Sequence, residues 1–579
     1  MGAAEALSAA QRALAGGDAG RALALLANLD DPAALHLRAL AYRRADRPEE
    51  ARRSFEAAAA AAPTDPFVAN NFANLLRQMG DESGALRHYD RALALRPGYR
   101  DAAFNKALLL SARGDAGGAL ALLERVTTAQ PGDARAQSAR GAALLQLARH
   151  AEAAAAFDAA LRAQPGLASA LKGRAQVALE RGEEDAAARF RAAIAADPGD
   201  LGAVHGFAEA LEAEGSDEAT PILTQVLGAR PDWVEGHQLL ARIQAERGDP
   251  DCTRQVREAA ARDPGNLALA VALARTLAAT NRWHDALAIL PESGDPDLVL
   301  LRANLLSEAG QPAAALTLLG ERGLASPECA VPEARAHFRL GDPQAAARVL
   351  ERAVAADPAA IGAWGLLEIA WRLLDDPRSP WLSAQEGLFG PRDLGLDESM
   401  LGELRTTLAR LHRTRAHPIG QSLRGGTQTR GALLLRSEPI LGQLRAALTE
   451  AIAAYVAGLP PADDRHPLLR HRNRTLAIGG SWSVRLTGSG FHVNHIHPEG
   501  VISSAFYVAL PDVVAGSPDR AGWLELGRPP VELGLALEPL AVIEPRVGRL
   551  ALFPSYLFHG TRPFSEGERL TVAFDVVPA

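Results

Sequence analysis

Residues 51–97, ARRSFEAAAAAAPTDPFVANNFANLLRQMGDESGALRHYDRALALRP, hold the pattern that decides the fold of the larger part of the chain. Ala51 is followed four residues later by Phe55, and Ala85 by Tyr89, so the small and large positions return after 34 residues. Pro63 and Pro97 close the two runs at the same interval. The register continues outward through Pro131 and Pro165 at steps of 34, then Pro198, Pro231 and Pro264 at steps of 33. Ala119 with Leu123, Ala153 with Phe157, and Ala186 with Phe190 keep the same spacing. Gly80, Gly114, Gly182, Gly215 and Gly248 mark a short turn inside each unit. Small residues let paired helices approach, the large apolar residue fills the gap between them, and proline stops the second helix. One such unit cannot cover its own apolar face, so the pattern predicts a stack of helix pairs with a concave groove. The signals thin between about residues 270 and 340 but persist at Gly310, Gly341 and Pro358.

The composition narrows the function classes. A formal net charge of −8 over 579 residues, with Lys106 and Lys172 the only lysines, offers no basic face for phosphates, so no nucleic-acid partner is expected. Cys252 and Cys329 are the only cysteines, which excludes a disulfide framework and a thiolate metal site and points to a reducing cytoplasm. The first twenty residues lack the basic patch and apolar core of a signal peptide. No stretch reaches the roughly 18 uncharged apolar residues of a membrane span, so no membrane partner is expected. The histidines of the first half are scattered and read as structural.

The 34-residue period with its A-x3-F step and closing proline resembles the tetratricopeptide repeat (TPR) over residues 1–372. That resemblance implies an all-α superhelix whose groove takes a protein or peptide.

Beyond Trp371 the texture changes. LLDDPRSPWLSAQEGLFGPRDLGLDESM is rich in Pro, Gly and Asp and breaks the helical period, which places a domain boundary near residue 377. Two stretches with helical spacing follow, ESMLGELRTTLARLHRTR and SEPILGQLRAALTEAIAAYVAGLP, within a helical lead-in at 378–475. From 476 to 579 the chain reads as short β-rich runs separated by Gly and Pro turns, the texture of a sandwich or barrel.

Four of the 15 histidines lie in two motifs of this last part, GFHVNHIHPEG and LFPSYLFHGTRPF. In an extended strand alternate side chains share a face, so His495 and His497 project together with Cα atoms about 6.6 Å apart and can bind one ion. His559, ending an apolar run, is the candidate third ligand. His492 has the opposite parity and reads as a packed neighbour. In RLTVAFDVV, Leu570, Val572, Phe574 and Val576 form one apolar face, and Arg569, Thr571, Ala573 and Asp575 the other. An arginine there suits a carboxylate, held bidentately with a further bond from Thr571; the bland reading is a salt bridge to Asp575 or Glu568. Tyr507 and Trp482 read as barrel core. Arg424, Gln428 and Thr429 read as a lid at the site's mouth or as turn residues, and the basic run at 465–474 as a solvated face.

Taken in order, HPIGQSLRGGTQTRG, GSWSVRL, HIHPEGVISSAFYVALP, LFPSYLFHGTRPF and ERLTVAFDVVP resemble the 2-oxoglutarate and Fe(II) oxygenases of the double-stranded β-helix class, often appended to tetratricopeptide repeats. The resemblance covers residues 378–579. It implies a multidomain α + β chain, a TPR superhelix followed by a jelly-roll or cupin-like β-helix. It also implies a dioxygenase that hydroxylates a substrate with Fe(2+), 2-oxoglutarate and dioxygen. Carried over by residue, it implies iron ligands at His495, His497 and His559 and a 5-carboxylate site at Arg569 with Thr571. One position departs: most of the wider superfamily has an acidic residue where His497 stands, leaving Glu499 or water to complete the set. Two alternatives remain open at this point, a cupin-like three-histidine metalloenzyme that does not use 2-oxoglutarate, and a non-catalytic TPR scaffold.

Overall fold

The structure is a computed structural model that describes residues 2–321 and 327–579. Residues 322–326, which fall in the stretch of weakened repeat signals, lie outside the described residues. Internal contacts divide the chain into two compact units. One contains the described residues of Met1–Ala178 and Ala188–Ala203; the other contains those of Leu179–Ala187 and Val204–Ala579.

The first unit is built of antiparallel helix pairs, such as Pro66–Gln78 with Glu82–Leu95 and Ala134–Gln146 with His150–Ala163. Aspartates set where helices begin. Asp65, Asp81, Asp115 and Asp133 each accept hydrogen bonds from backbone N–H groups of the first turn, contacts worth about 1 kcal/mol apiece. Gly80 and Gly114 end the first helix of a pair at φ of 83° and 82°, a left-handed turn that a side chain would strain. The alanine and aromatic positions of the repeat are buried as their spacing requires, with Ala51, Phe55, Ala85 and Tyr89 fully enclosed. Phe157 shows why glycine accompanies them: a Cβ on Gly141 or Gly173 would lie 2.8 or 2.2 Å from its ring.

The second unit continues with helix pairs as far as Ile361–Leu373, then carries three further helices and nine strands. The strands are β1 (Gly390–Asp393), β2 (Leu423–Gln428), β3 (Leu476–His492), β4 (Ile502–Ala509), β5 (Leu524–Leu526), β6 (Ala541–Ile543), β7 (Arg549–Pro554), β8 (His559–Thr561) and β9 (Glu568–Pro578). They pair antiparallel in two sheets, β1-β7-β4-β9-β3-β2 and β6-β5-β8, and His495 bridges to His559 at the free edge of the smaller one. From β3 onward the chain passes from the larger sheet to the smaller and back, an alternation compatible with the double-stranded β-helix the motifs lead one to expect. Leu570, Val572, Phe574 and Val576 of β9 are fully buried on the outer face of the larger sheet. They join one apolar core with Leu404 and Leu408 of helix Glu398–Leu411 and Leu444 and Leu448 of helix Pro439–Ala457.

The segment expected as a helical lead-in is only partly helical, because it also supplies β1 and β2 at the two edges of the larger sheet. SLRGGTQT is therefore an edge strand, and from it Arg424 and Gln428 line the cavity of the clustered histidines, as expected of the site's mouth. Its glycines let the backbone come within contact of β3: a Cβ on Gly426 would meet the Arg485 carbonyl at 2.2 Å. The basic run at 465–474 is not a uniformly solvated face either, since His466 is fully buried and its Nδ1 accepts from the N–H groups of Leu468 and Leu469.

The same core holds one buried acid. Glu368, on helix Ile361–Leu373, is 1% exposed, and burial pushes its carboxyl up to about 7 despite Arg372 at 3.5 Å and a hydrogen bond from Ser383. A folded pKa above the unfolded value adds stability that is complete below the unfolded pKa and is lost as pH rises through the folded one. The expected loss between about pH 4.5 and 7 is on the order of 3 kcal/mol. Glu368→Gln removes that slope, which melting curves taken across this range would read directly.

Candidate metal and co-substrate site

His495 and His559 sit opposite each other in a narrow backbone pair, with each N–H donating to the other's carbonyl at 3.0 and 2.9 Å. Side chains of directly opposed residues share a face, and here the ring centroids are 4.2 Å apart. His497, two residues along the extended segment, brings its ring to 5.0 Å from both. One ligand nitrogen from each of the three lies within 4.8 Å of the others, the only such group of histidine, cysteine or acidic side chains among the described residues. Glu499 stays outside that group and lines the surrounding cavity.

The partners of the second ring nitrogens decide what the cluster presents. His495 Nδ1 lies 2.9 Å from the Val493 carbonyl, His559 Nδ1 3.1 Å from the Leu557 carbonyl, and His497 Nδ1 2.6 Å from Asp575 Oδ1. Carbonyl and carboxylate oxygens only accept, so each Nδ1 carries a proton, and Nε2 is the nitrogen each ring turns toward the others. His495 Nε2 and His497 Nε2 face each other at 3.0 Å, close enough for one ion to meet both. Burial, reinforced by the neighbouring imidazoles, pushes His495 down to about 3 and holds His559 well below the usual imidazole range. Neutral imidazoles are the form that binds metal.

Around this set stand Asp575 and Ser422, whose contacts with the histidines the sequence did not foretell, and His492, packed as its parity predicts. Asp575 accepts from both His497 Nδ1 and the Ser503 hydroxyl, the latter at 2.9 Å, so it holds the His497 ring from behind. Ser422 has its hydroxyl 3.1 Å from His492 Nδ1 and 3.2 Å from His495 Nε2, and the His492 ring stacks beside His495 at 5.8 Å. Trp482 packs against the core around Leu423 and Val484, as expected, and also lines the cavity with its ring 5.4 Å from His497.

Arg569, Thr571, Ala573 and Asp575 all line the same cavity from β9, as their alternation requires. Arg569 is 3% exposed, donates from Nη1 to the Gly522 carbonyl at 2.7 Å, and lies over the Tyr507 ring at 5.1 Å. Neither acid suggested as its partner takes that role: Glu568 pairs with Arg485 at 2.6 Å, and Asp575 with His497. Arg569 Nε and the Tyr507 hydroxyl are buried without a hydrogen-bond partner among the described residues. Desolvation lowers the arginine's pKa, the mark of a guanidinium enclosed without a counter-charge. Thr571 Oγ1 is 3.5 Å from the Val484 carbonyl, a contact too long to occupy it.

Residues 480–575 match the family described as "Putative 2OG-Fe(II) oxygenase", and tetratricopeptide-repeat families match at 76–143, 138–200 and 327–370. No curated protein matches the sequence. Similar solved structures include MamA from Desulfovibrio magneticus RS-1, at 24% identity and a TM-score of 0.28 over 30% of this chain and 97% of that one. A tetratricopeptide repeat protein from Parabacteroides merdae ATCC 43184 is 20% identical, with a TM-score of 0.36 over 42% of this chain and 97% of that one. YrrB, described as a TPR protein with an unusual peptide-binding site, is 21% identical, with a TM-score of 0.28 over 32% of this chain and 96% of that one. The chain is thus a tetratricopeptide-repeat protein with a C-terminal domain of the 2OG-Fe(II) oxygenase type at residues 480–575.

Proposed function

We propose that the chain is an Fe(II)- and 2-oxoglutarate-dependent dioxygenase that hydroxylates a protein or peptide in a reducing cytoplasm. Residues 1–372 serve as the repeat array and 378–579 as the oxygenase domain, whose β core spans 476–579. His495, His497 and His559 hold the iron through Nε2, and Arg569 with Thr571 takes the 5-carboxylate of 2-oxoglutarate. Bound Fe(II) with 2-oxoglutarate and dioxygen supplies the oxidising power for hydroxylating a C–H bond. The observation that carries this reading is the pairing, in one cavity, of three convergent imidazoles with a buried arginine that lacks a counter-charge.

The residues fit both groups. The committed Nδ1 atoms fix each ring with its Nε2 inward. Arg569 Nε and the Tyr507 hydroxyl offer a small diacid two donors that nothing else satisfies, which gives Tyr507 a role beyond packing. The cavity, at about 1780 Å³, exceeds the roughly 300–1,000 Å³ of a small-molecule site. A second hollow of about 580 Å³ shares Gln421, Gln428 and Trp482 with it and reaches Glu235 and Gln238 of repeat helix Val234–Glu246. Room of that size suits a polypeptide better than a small molecule.

The deciding experiment is an anaerobic titration of Fe(II)-loaded protein with 2-oxoglutarate. A metal-to-ligand charge-transfer band is expected, and His559→Ala should lose both the iron and the band. Retained iron without a band would favour the cupin-like metalloenzyme, and a parent that takes up no metal would favour the scaffold.

A further inference from the structure

The last repeat helix, Ile361–Leu373, touches both chain segments that carry the clustered histidines. A Cβ built on Gly365 would lie 2.6 Å from the Tyr556 carbonyl oxygen, 3.3 Å from Phe558 Cε2 and 3.5 Å from Ile496 Cγ2. Ile496 stands between His495 and His497, and Phe558 immediately precedes His559. One turn earlier, a Cβ on Gly362 would be 4.0 Å from Ile496 Cδ1, and Leu366 lines the cavity beside Ile496. The helix therefore lies on the histidine segments at a distance only glycine allows.

The end of the same helix makes a second grip. Arg372 donates from Nη1 to the Gly527 carbonyl at 2.6 Å and from Nη2 to the Glu538 carbonyl. Gly527 in turn donates its N–H to the Phe558 carbonyl at 2.6 Å, one residue before His559. On the preceding pair, Arg339 of helix Pro327–Arg339 donates to the Glu532 carbonyl at 3.0 Å, tying down the same loop.

We infer that helix Ile361–Leu373 is a positioning element of the three-histidine centre, bracing together the paired segments that carry His495–His497 and His559. The inference rests on the metal reading above and adds that the repeats are part of the site's frame as well as a means of recruitment. A metal set is sensitive to this kind of support, because ligand nitrogens must meet the ion within a few tenths of an ångström. A Cβ at position 365 would press on the backbone oxygen of Tyr556, so the turn that leads into the His559 strand, not a flexible side chain, must move.

The test uses full-length protein and Co(II) as the probe, read by its visible ligand-field spectrum and by equilibrium dialysis. Gly365→Ala is expected to weaken Co(II) binding at least tenfold and alter the spectrum, with a cooperative melt retained. Gly320→Ala, whose added Cβ meets nothing within 4 Å, is expected to bind as the parent does. A merely structural role would lower the melting temperature and leave the affinity of the folded protein unchanged, and that result overturns the inference. Should Gly365→Ala not fold, Arg372→Ala decides: binding weakened threefold or more supports it, and parental binding overturns it. A parent that takes up no Co(II) overturns the metal reading and this inference together, whereas equal binding by parent and Gly365→Ala overturns the inference alone.

Discussion

Arg569→Ala is expected to abolish 2-oxoglutarate turnover at ordinary co-substrate concentrations while leaving the protein folded and able to bind metal. Each hydrogen bond to a charged group contributes about 1.5–3 kcal/mol, so losing a bidentate pair should weaken 2-oxoglutarate by roughly 100- to 10,000-fold. Stability should move the other way. Without co-substrate the guanidinium is enclosed with one carbonyl and no carboxylate, so its removal relieves an uncompensated buried charge. The variant's melting temperature should equal or exceed the parent's, and added 2-oxoglutarate, which raises the parent's by mass action, should no longer do so. Arg569→Lys keeps the charge but not the fork, and an intermediate affinity is expected. Thermal shifts of the three proteins with and without 2-oxoglutarate provide the check; an undiminished shift in Arg569→Ala would place the diacid elsewhere.

Why Arg569 could be found in the sequence, and some of its neighbours could not, follows from the range of the contacts involved. Strand alternation is local, so the inward set Arg569, Thr571, Ala573 and Asp575 was legible from RLTVAFDVV alone, and all four line the cavity. The repeat was legible for the same reason: a period of 34 is a property of the chain, and its alanines, aromatics and glycines occupy the places the period assigns. Asp575 was seen to face inward, but its bond to His497 spans 78 residues and joins a strand to a segment outside any strand, which no spacing rule reaches. SLRGGTQT misled because glycine signals a turn far more often than an edge strand, yet here glycine permits close pairing with β3. The core position of Trp482 was legible from its size and apolarity, but its second task as a wall of the cavity was not, because that depends on His497 lying beside it. The glycines of IGAWGLLEIA carried no sign that their neighbours would be the histidine segments rather than another helix.

Asp575 gives the second large effect, and it bears on the departure at position 497. A neutral imidazole in place of an acidic ligand would leave the metal with its whole charge, but the Asp575 carboxylate lies 2.6 Å from the far nitrogen of that imidazole. The proton between them polarises toward the carboxylate, and the ring passes negative character to the metal position. The carboxylate is kept in place by Ser503, whose hydroxyl also lies 2.9 Å from that of Ser555. Asp575→Asn keeps the shape and can still accept from Nδ1, but it removes the charge. Metal affinity should fall about 10- to 100-fold, the usual loss when such an outer partner is changed. A fall of less than twofold would mean the aspartate only packs. The reciprocal experiment isolates the charge. His497→Asp alone would set a second carboxylate near Asp575, and two unpaired acids this close resist joint ionisation. Combined with Asp575→Asn, the same replacement leaves one negative charge, now at position 497. The double variant should therefore bind Co(II) more tightly than Asp575→Asn does, and equal affinities would show that charge sharing across His497 is not how this site compensates for its third imidazole.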